Sequence, residues 1–228
     1  MNANSDAPAL DHLIVAAANL EQGVAWCETT LGVTPGPGGR HALMGTHNRL
    51  LKIADAAFPG AYFEIIAIDP AAPPPGRKRW FGLDDVALQA LIARGPQLIH
   101  FVARTATLGR HRAGLVAADQ LPGEPVAASR QTPSGMLSWQ ILVRDDGRLG
   151  CGGALPTLIQ WQGPHPTEAM PDSGVTLRAL ALRGVGQPAQ RVLQMPGVDW
   201  LPGAGPAITA TLATPRGDVV LASALTTP

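Results

Sequence analysis

Twice along this chain an apolar strand with a histidine in third position is followed by a helix and then by three strands. In the first copy, Leu10 to Ala16 reads as the strand and His12 is its histidine. Asn19 offers a helix N-cap with Gln22 three residues on, Leu20, Val24, Cys27 and Leu31 recur at helical intervals, and Gly32 closes the helix. Val33 to Gly39 reads as turn material. Strands are expected at Arg40 to Met44, Asn48 to Ile53 and Ala61 to Ile68, the last interrupted only by Glu64. The second copy has a strand over Leu98 to Ala103 with His100, a helix over Thr107 to Ala118, and strands over Val126 to Arg130, Leu137 to Val143 and Thr157 to Trp161. Its last strand carries Gln160 where the first copy carries Glu64. His12 and Glu64 are 52 residues apart, His100 and Gln160 are 60 apart, and the element order is the same, which predicts an internal repeat with loop insertions.

The expected organisation is a first βαβββ module over 9–69, a linker and helix over 70–96, and a second module over 97–166. The linker is rich in Pro and Gly from Asp69 to Arg79, and Leu83 to Ala93 reads as a helix with Asp84 and Asp85 in its first turn, where the helix dipole favours them. A shortened third copy is expected over 174–223: a strand at Leu177 to Leu182, a helix at Gln187 to Met195, and a hairpin of Ile208 to Ala213 with Asp218 to Ala222. Ala179 stands where the histidine would be, which assigns this copy to packing or an interface. Gln131 to Gly135 reads as a turn.

Charge narrows the partners. Seventeen basic and seventeen acidic residues cancel, so nothing calls for a nucleic-acid or anionic-membrane partner, and the short run Arg77-Lys78-Arg79 reads as a solvated linker. With 46% hydrophobic and 15% charged residues the chain can bury a sizeable core. Cys27 and Cys151 are too far apart for a zinc knuckle and too few for a disulfide framework. Met1 to Pro8 lacks a basic start followed by an apolar run, so neither a signal peptide nor a transmembrane helix is expected, and a cytoplasmic location is.

Side chains alternate faces along a strand, so Leu10, His12 and Ile14 are expected to share one face, and Tyr62, Glu64, Ile66 and Ile68 another. An ionised Glu in such a strand needs an exposed face, a raised pKa, a cationic partner or a metal. Arg40, Arg49 and Arg130 are candidate partners. If the sheet curls so that the two faces meet, His12, Glu64 and His100 could instead form three ligands of an open metal site. Both readings stand on the spacing alone.

The run Leu10-Asp11-His12, the helix from Asn19 to Gly32 and Tyr62-Phe63-Glu64-Ile65-Ile66 resemble a module of the vicinal oxygen chelate superfamily. The stretch from Gly38-Gly39-Arg40-His41 through Gly45-Thr46-His47-Asn48-Arg49 is similar to the signature of its glyoxalase-like domain family. Leu155 to Trp161, followed by His165-Pro166, resembles that family's second-module ending. The resemblance implies an α+β fold in which βαβββ modules curl into a cup-shaped mixed sheet, paired within one chain or across a homodimer. It implies a divalent metal such as zinc, manganese, iron or nickel on His12, Glu64 and His100, with Gln160 in the fourth place; some members use two His and one Glu, and others bind no metal. Gln160 departs from the pattern, since a neutral amide ligates more weakly than a carboxylate.

Gly38, Gly39 and Gly45 allow close backbone approach to a ligand, which Arg40, His41, Thr46 and Asn48 could then bind, or the same segment is a tight hairpin in which Asn48 satisfies local backbone groups. Trp139 and Arg130 are further candidate pocket residues, whereas Trp161 is assigned to core packing. Three functions follow, none needing a nucleotide cofactor; one, resting on the third copy's missing histidine, is a scaffold that acts through protein contacts, and the other two use the cup. One is a metal-dependent lyase, isomerase or dioxygenase acting on a small oxygenated molecule, with Glu64 as ligand and proton carrier. The other is a metal-free protein that sequesters or senses a small molecule in the same cup.

Overall fold

A computed structural model describes residues 6–132, 135–224 and 226–227. The first module runs β1 (Ala9–Ala16), α1 (Leu20–Leu31), β2 (Gly36–His41), β3 (Thr46–Lys52) and β4 (Tyr62–Ile68). A single 3-10 turn, Trp80–Gly82, and α2 (Val86–Arg94) follow. The second module is β5 (Gln97–Arg104), α3 (Leu108–Ala117), β6 (Glu124–Thr132), β7 (Gly135–Val143) and β8 (Thr157–Gln162). The turn expected over Gln131 to Gly135 includes Pro133 and Ser134, which lie outside the described residues. No helix among the described residues is long and apolar enough to cross a membrane.

Local chemistry explains the helix ends. Asn19 Oδ1 accepts the Gln22 amide at 2.8 Å, Gln22 Oε1 accepts the Ala18 amide at 2.9 Å, and Gly32 takes the left-handed conformation that ends α1. Asp85 caps α2 by accepting the amides of Ala87 and Leu88. Arg79 is not a solvated linker residue: it folds back onto Asp84 at 2.6 Å.

The eight module strands form one mixed sheet in the order β2-β3-β4-β1-β5-β8-β7-β6. In each module the first strand pairs in parallel with the last, β1 with β4 and β5 with β8. The modules join by antiparallel pairing of β1 with β5, so they meet within one chain. The outer strands β2 and β6 also approach each other, which curls the sheet into a cup. Gly36 to Gly39, expected as turn, opens β2 instead, and Pro37 is tolerated there because an edge strand has a backbone side with no ladder bonds to make.

Two apolar clusters lie on opposite faces of the sheet. The convex one packs Cys27 and Leu31 of α1 and Leu108 and Leu115 of α3 against Leu13, Val15, Phe63, Ile65, Phe101 and Leu158. Fully burying side chains such as Phe63, Phe101 and Leu13 contributes about 1.5–3 kcal/mol each. The concave cluster contains Ile14, Ile66, Val102, Trp139, Ile141 and Ile159, together with Trp80, Phe81, Leu83, Leu88 and Ile92. The segment between the modules is therefore not a simple connector. Its turn and helix fill the concave side.

The remainder comprises β9 (Thr176–Arg183), α4 (Gln187–Leu193), β10 (Val198–Leu201), β11 (Gly205–Pro206), β12 (Ile208–Thr214), β13 (Gly217–Ala222) and β14 (Thr226–Thr227). Four of these strands make a separate sheet in the order β10-β9-β12-β13, whose Leu177, Leu180, Leu182 and Ile208 join the convex core. Here the first strand pairs in parallel with the strand directly after the helix, a connection different from that of the two modules before it.

Candidate functional site

The site begins with an irregularity in β1. The register against β5 shifts between Leu10 and His12, so strict alternation fails there. Leu10 sits in the convex core, Asp11 is fully buried, and His12 lines the concave cleft. A bulge of this kind re-aims side chains next to a site. Leu10, His12 and Ile14 thus do not share one face as the spacing predicts.

The bulge brings Asp11 and His12 into contact. Asp11 Oδ1 lies 2.6 Å from His12 Nδ1, while Asp11 Oδ2 accepts Trp161 Nε1 at 2.8 Å and lies 3.0 Å from His165 Nε2. His12 Nε2 lies 3.1 Å from Glu64 Oε2, and Glu64 Oε1 accepts Asn48 Nδ2 at 2.6 Å. Asn48 Oδ1 accepts the Gly39 amide at 2.7 Å and a 3.5 Å contact from Arg130 Nη1. The result is a continuous polar chain from His165 through Asp11, His12, Glu64 and Asn48 to the edge strands.

Electrostatics fixes the charges of this chain. Burial opposes the imidazolium of His12, but the hydrogen bonds to Asp11 and Glu64 outweigh it and raise His12 to about 9. Burial likewise opposes the Glu64 carboxylate, yet the hydrogen bond and charge of His12 lower it to about 2. Asp11 is held far below the usual carboxylate range against its own burial by His12 and His165. The Tyr62 ring stacks on His12 at 4.5 Å, and burial and the nearby carboxylates keep its phenol protonated. At neutral pH the centre is one imidazolium clamped between two carboxylates.

His100 does not join this centre. Its Nδ1 lies 2.8 Å from the Gly153 carbonyl oxygen, and its Nε2 lies 2.9 Å from Thr157 Oγ1 and accepts the Thr157 amide at 3.2 Å. Burial lowers it to about 4, so it is neutral and both ring nitrogens are in use. Phe81 packs against it, with ring centroids 5.4 Å apart. Gln160 is farther still: its Oε1 accepts the Leu108 amide at the start of α3, and it lines an outer groove with Arg104 and Thr105. The strand register gives the reason. Glu64 pairs with Ile14, two residues after His12, and the residue that pairs with Val102, two after His100, is Thr157. Thr157 is the structural counterpart of Glu64, and its hydroxyl meets His100 as Glu64 meets His12.

The divalent metal implied by the fold therefore has a poor donor set. His12 and Glu64 bond each other, His100 is spent elsewhere, Gln160 faces away, and no three His, Cys, Asp or Glu side chains among the described residues are grouped to hold an ion. A catalytic site needs about three protein ligands. The residues do not fit it.

The remaining expected pocket residues divide. His41, Asn48, Arg130 and Trp139 line the cleft with His12 and Glu64. Thr46 lies behind His41, its hydroxyl 3.1 Å from Nδ1. Arg40 points away and pairs with Asp69 at 3.2 Å. Trp161 lines the cleft rather than the core, and Tyr62, Trp80 and Phe81 complete the wall. Trp80 meets His41 edge-on at 5.0 Å and stacks on Phe81, whose left-handed backbone (φ 58°) makes the sharp turn that inserts both rings. With these rings in place the cavity is about 30 Å³, enough for one or two waters.

Gly38 and Gly39 acquire distinct roles. A Cβ on Gly38 would lie 2.2 Å from the Asn48 backbone oxygen, whereas one on Gly39 would lie 2.6 Å from Arg130 Nη1, the mobile end of a long side chain. Gly38→Ala is expected to cost about 1–3 kcal/mol, because backbone must move. Gly39→Ala should cost well under half as much and displace only the guanidinium. Urea denaturation of the two variants checks this; equal losses would show that the close approach to Asn48 is not the constraint.

The curled sheet of paired βαβββ modules and its concave polar centre define a protein of the vicinal oxygen chelate architecture. Within it, the chain belongs to the glyoxalase-like domain family, whose sequence profile matches residues 10–194. The fold is similar to that of a hypothetical protein from Staphylococcus aureus, at 14% identity, covering 96% of this chain and 88% of that one with a TM-score of 0.57. Methylmalonyl-CoA epimerase from Mycobacterium tuberculosis aligns at 17% identity over 74% of this chain and 97% of its own, with a TM-score of 0.41. No curated protein matches the sequence.

Proposed function

We propose that this chain is a metal-free small-molecule-binding protein whose concave cleft sequesters or senses a compact ligand. The observation that carries this reading is the closed pairing of Asp11, His12 and Glu64, which consumes both ring nitrogens of His12, as the Gly153 and Thr157 contacts consume those of His100. A base that works at neutral pH needs a pKa near 7, and Glu64, lowered to about 2 by His12, is a weak one. Aromatic walls from Tyr62, Trp80, Trp139 and Trp161 with a few convergent polar groups are the composition of a ligand pocket.

A thermal-shift screen of a metabolite library, run with and without chelator, tests the reading. A ligand present at about 100 times its Kd stabilises by about 2.7 kcal/mol, which raises Tm by about 5–10 °C, and the shift should survive chelation. Elemental analysis of protein purified without chelator should give no stoichiometric zinc, manganese, iron or nickel. One ion per chain, lost in His12→Ala, would overturn the metal-free reading and leave the metal-dependent lyase, isomerase or dioxygenase reading standing. A library without a single hit would count against binding.

A further inference from the structure

Within the cleft, Arg130 stands out by what it lacks. The carboxylates nearest the centre are taken: both oxygens of Glu64 bond His12 and Asn48, and both oxygens of Asp11 bond His12, Trp161 and His165. Arg130 makes no ion pair among the described residues, and its one hydrogen bond is the 3.5 Å contact to the Asn48 amide oxygen. It is half-buried, and the missing side chain of Gly39 leaves the room its guanidinium occupies. A second observation comes from Trp80, which lines the same cleft. Trp80 is 6% exposed, and its indole Nε1 is buried without a hydrogen-bond acceptor among the described residues. A buried donor left unpaired is costly and asks for an acceptor. Arg130, without an ion pair among the described residues, and Trp80 line the same cleft together with Tyr62, Trp139 and Trp161.

We infer that the ligand of this cleft is a small organic monocarboxylate, its carboxylate seated on Arg130 with Trp80 as the second donor and its body held against the aromatic walls. The inference rests on the binding reading above and adds the chemical class. A planar carboxylate matches the guanidinium fork through two parallel hydrogen bonds. The 30 Å³ space is the size of such a head group.

The test is intrinsic tryptophan fluorescence and calorimetric titration with acetate, pyruvate, benzoate and phenylacetate, against benzamide, phenylacetamide and inorganic phosphate. At least one carboxylate should bind saturably, its amide about tenfold or more weaker, and Arg130→Gln should weaken the carboxylate by about tenfold or more. Trp80→Phe keeps an aromatic ring, though a smaller one, removes the N–H and should weaken binding severalfold. Both variants should keep the far-ultraviolet circular dichroism of the parent, and Arg130→Gln its ligand-free Tm as well, since Arg130 sits on an edge strand, whereas Trp80→Phe gives up some Tm with the core volume it removes. Amides binding as well as acids, or Arg130→Gln leaving affinity unchanged, would overturn the carboxylate class while leaving a binding cleft intact. Phosphate binding in place of every carboxylate would also overturn it. If no carboxylate binds, the class is wrong; if the metabolite library is silent as well, the binding reading falls with it.

Discussion

Asp11→Ala should lower the stability of this protein by about 3–5 kcal/mol, the scale for removing one partner of a buried ion pair. For a chain of this length, that lowers Tm on the order of 10 °C. Asp11 is 0% exposed and receives hydrogen bonds from three side chains, His12, Trp161 and His165. Alanine leaves three donors facing a small void. It also removes one of the two carboxylates that keep His12 charged, so the imidazolium either stays with one counter-ion or gives up its proton. Asp11→Asn should fall between: the amide has one oxygen for donors on both sides, and its NH2 must face one of them. Trp161→Phe provides the calibration, since it deletes one donor and leaves an aromatic ring, though a smaller one. Urea denaturation of the three variants measures the series. A loss in Asp11→Ala no larger than in Trp161→Phe would mean that the carboxylate does not organise the centre.

Asp11 also shows where reading the sequence stops. His12 and Glu64 are visible because a titratable group in an apolar strand is expensive, and period-two alternation tells which neighbours share its face. Asp11 escapes that logic. The bulge at its position suspends alternation, and bulges depend on pairing with β5, 90 residues away in sequence. The second module misleads for a related reason. Gln160 is the polar residue flanked by apolar ones, but face and depth are set by the parallel pairing of Val102 with Thr157, and Thr157 resembles a strand-start residue. Trp80 and Phe81 follow a Pro- and Gly-rich stretch and read as its continuation. Only the turn through Phe81 and Gly82, both left-handed, sends the two rings into the cup. In the Gly38-Gly39 pair, composition showed close approach, and the partners, Asn48 and Arg130, came from the fold.

The charged centre also dictates a pH profile with a maximum near pH 6.5. His12 is raised from 6.5 to about 9, so its contribution is complete below about pH 6.5 and is lost as pH rises through 9. His100, lowered by burial from 6.5 to about 4, acts in the opposite sense: the unfolded chain takes up its proton first, and stability falls as pH drops from 6.5 toward 4. His41, lowered by burial to about 4, adds to the same limb. Glu64, whose bond to His12 lowers it from 4.5 to about 2 despite burial, extends the acid loss below pH 4.5. Each proton taken up unequally contributes a slope of at most about 1.4 kcal/mol per pH unit. His111, also lowered by burial, adds to the acid side, so the acid limb, with three histidines, should be steeper than the alkaline limb below pH 9, with one. Urea midpoints between pH 4 and 9 measure the profile. His12→Gln should flatten the alkaline limb and leave the acid limb, and His100→Gln should do the reverse in part, since its amide can still donate to Gly153 and accept from Thr157. If stability in the unsubstituted protein keeps rising from pH 7 to 9, or if His12→Gln retains the alkaline loss, His12 is not the imidazolium between two carboxylates on which the reading of this cleft depends.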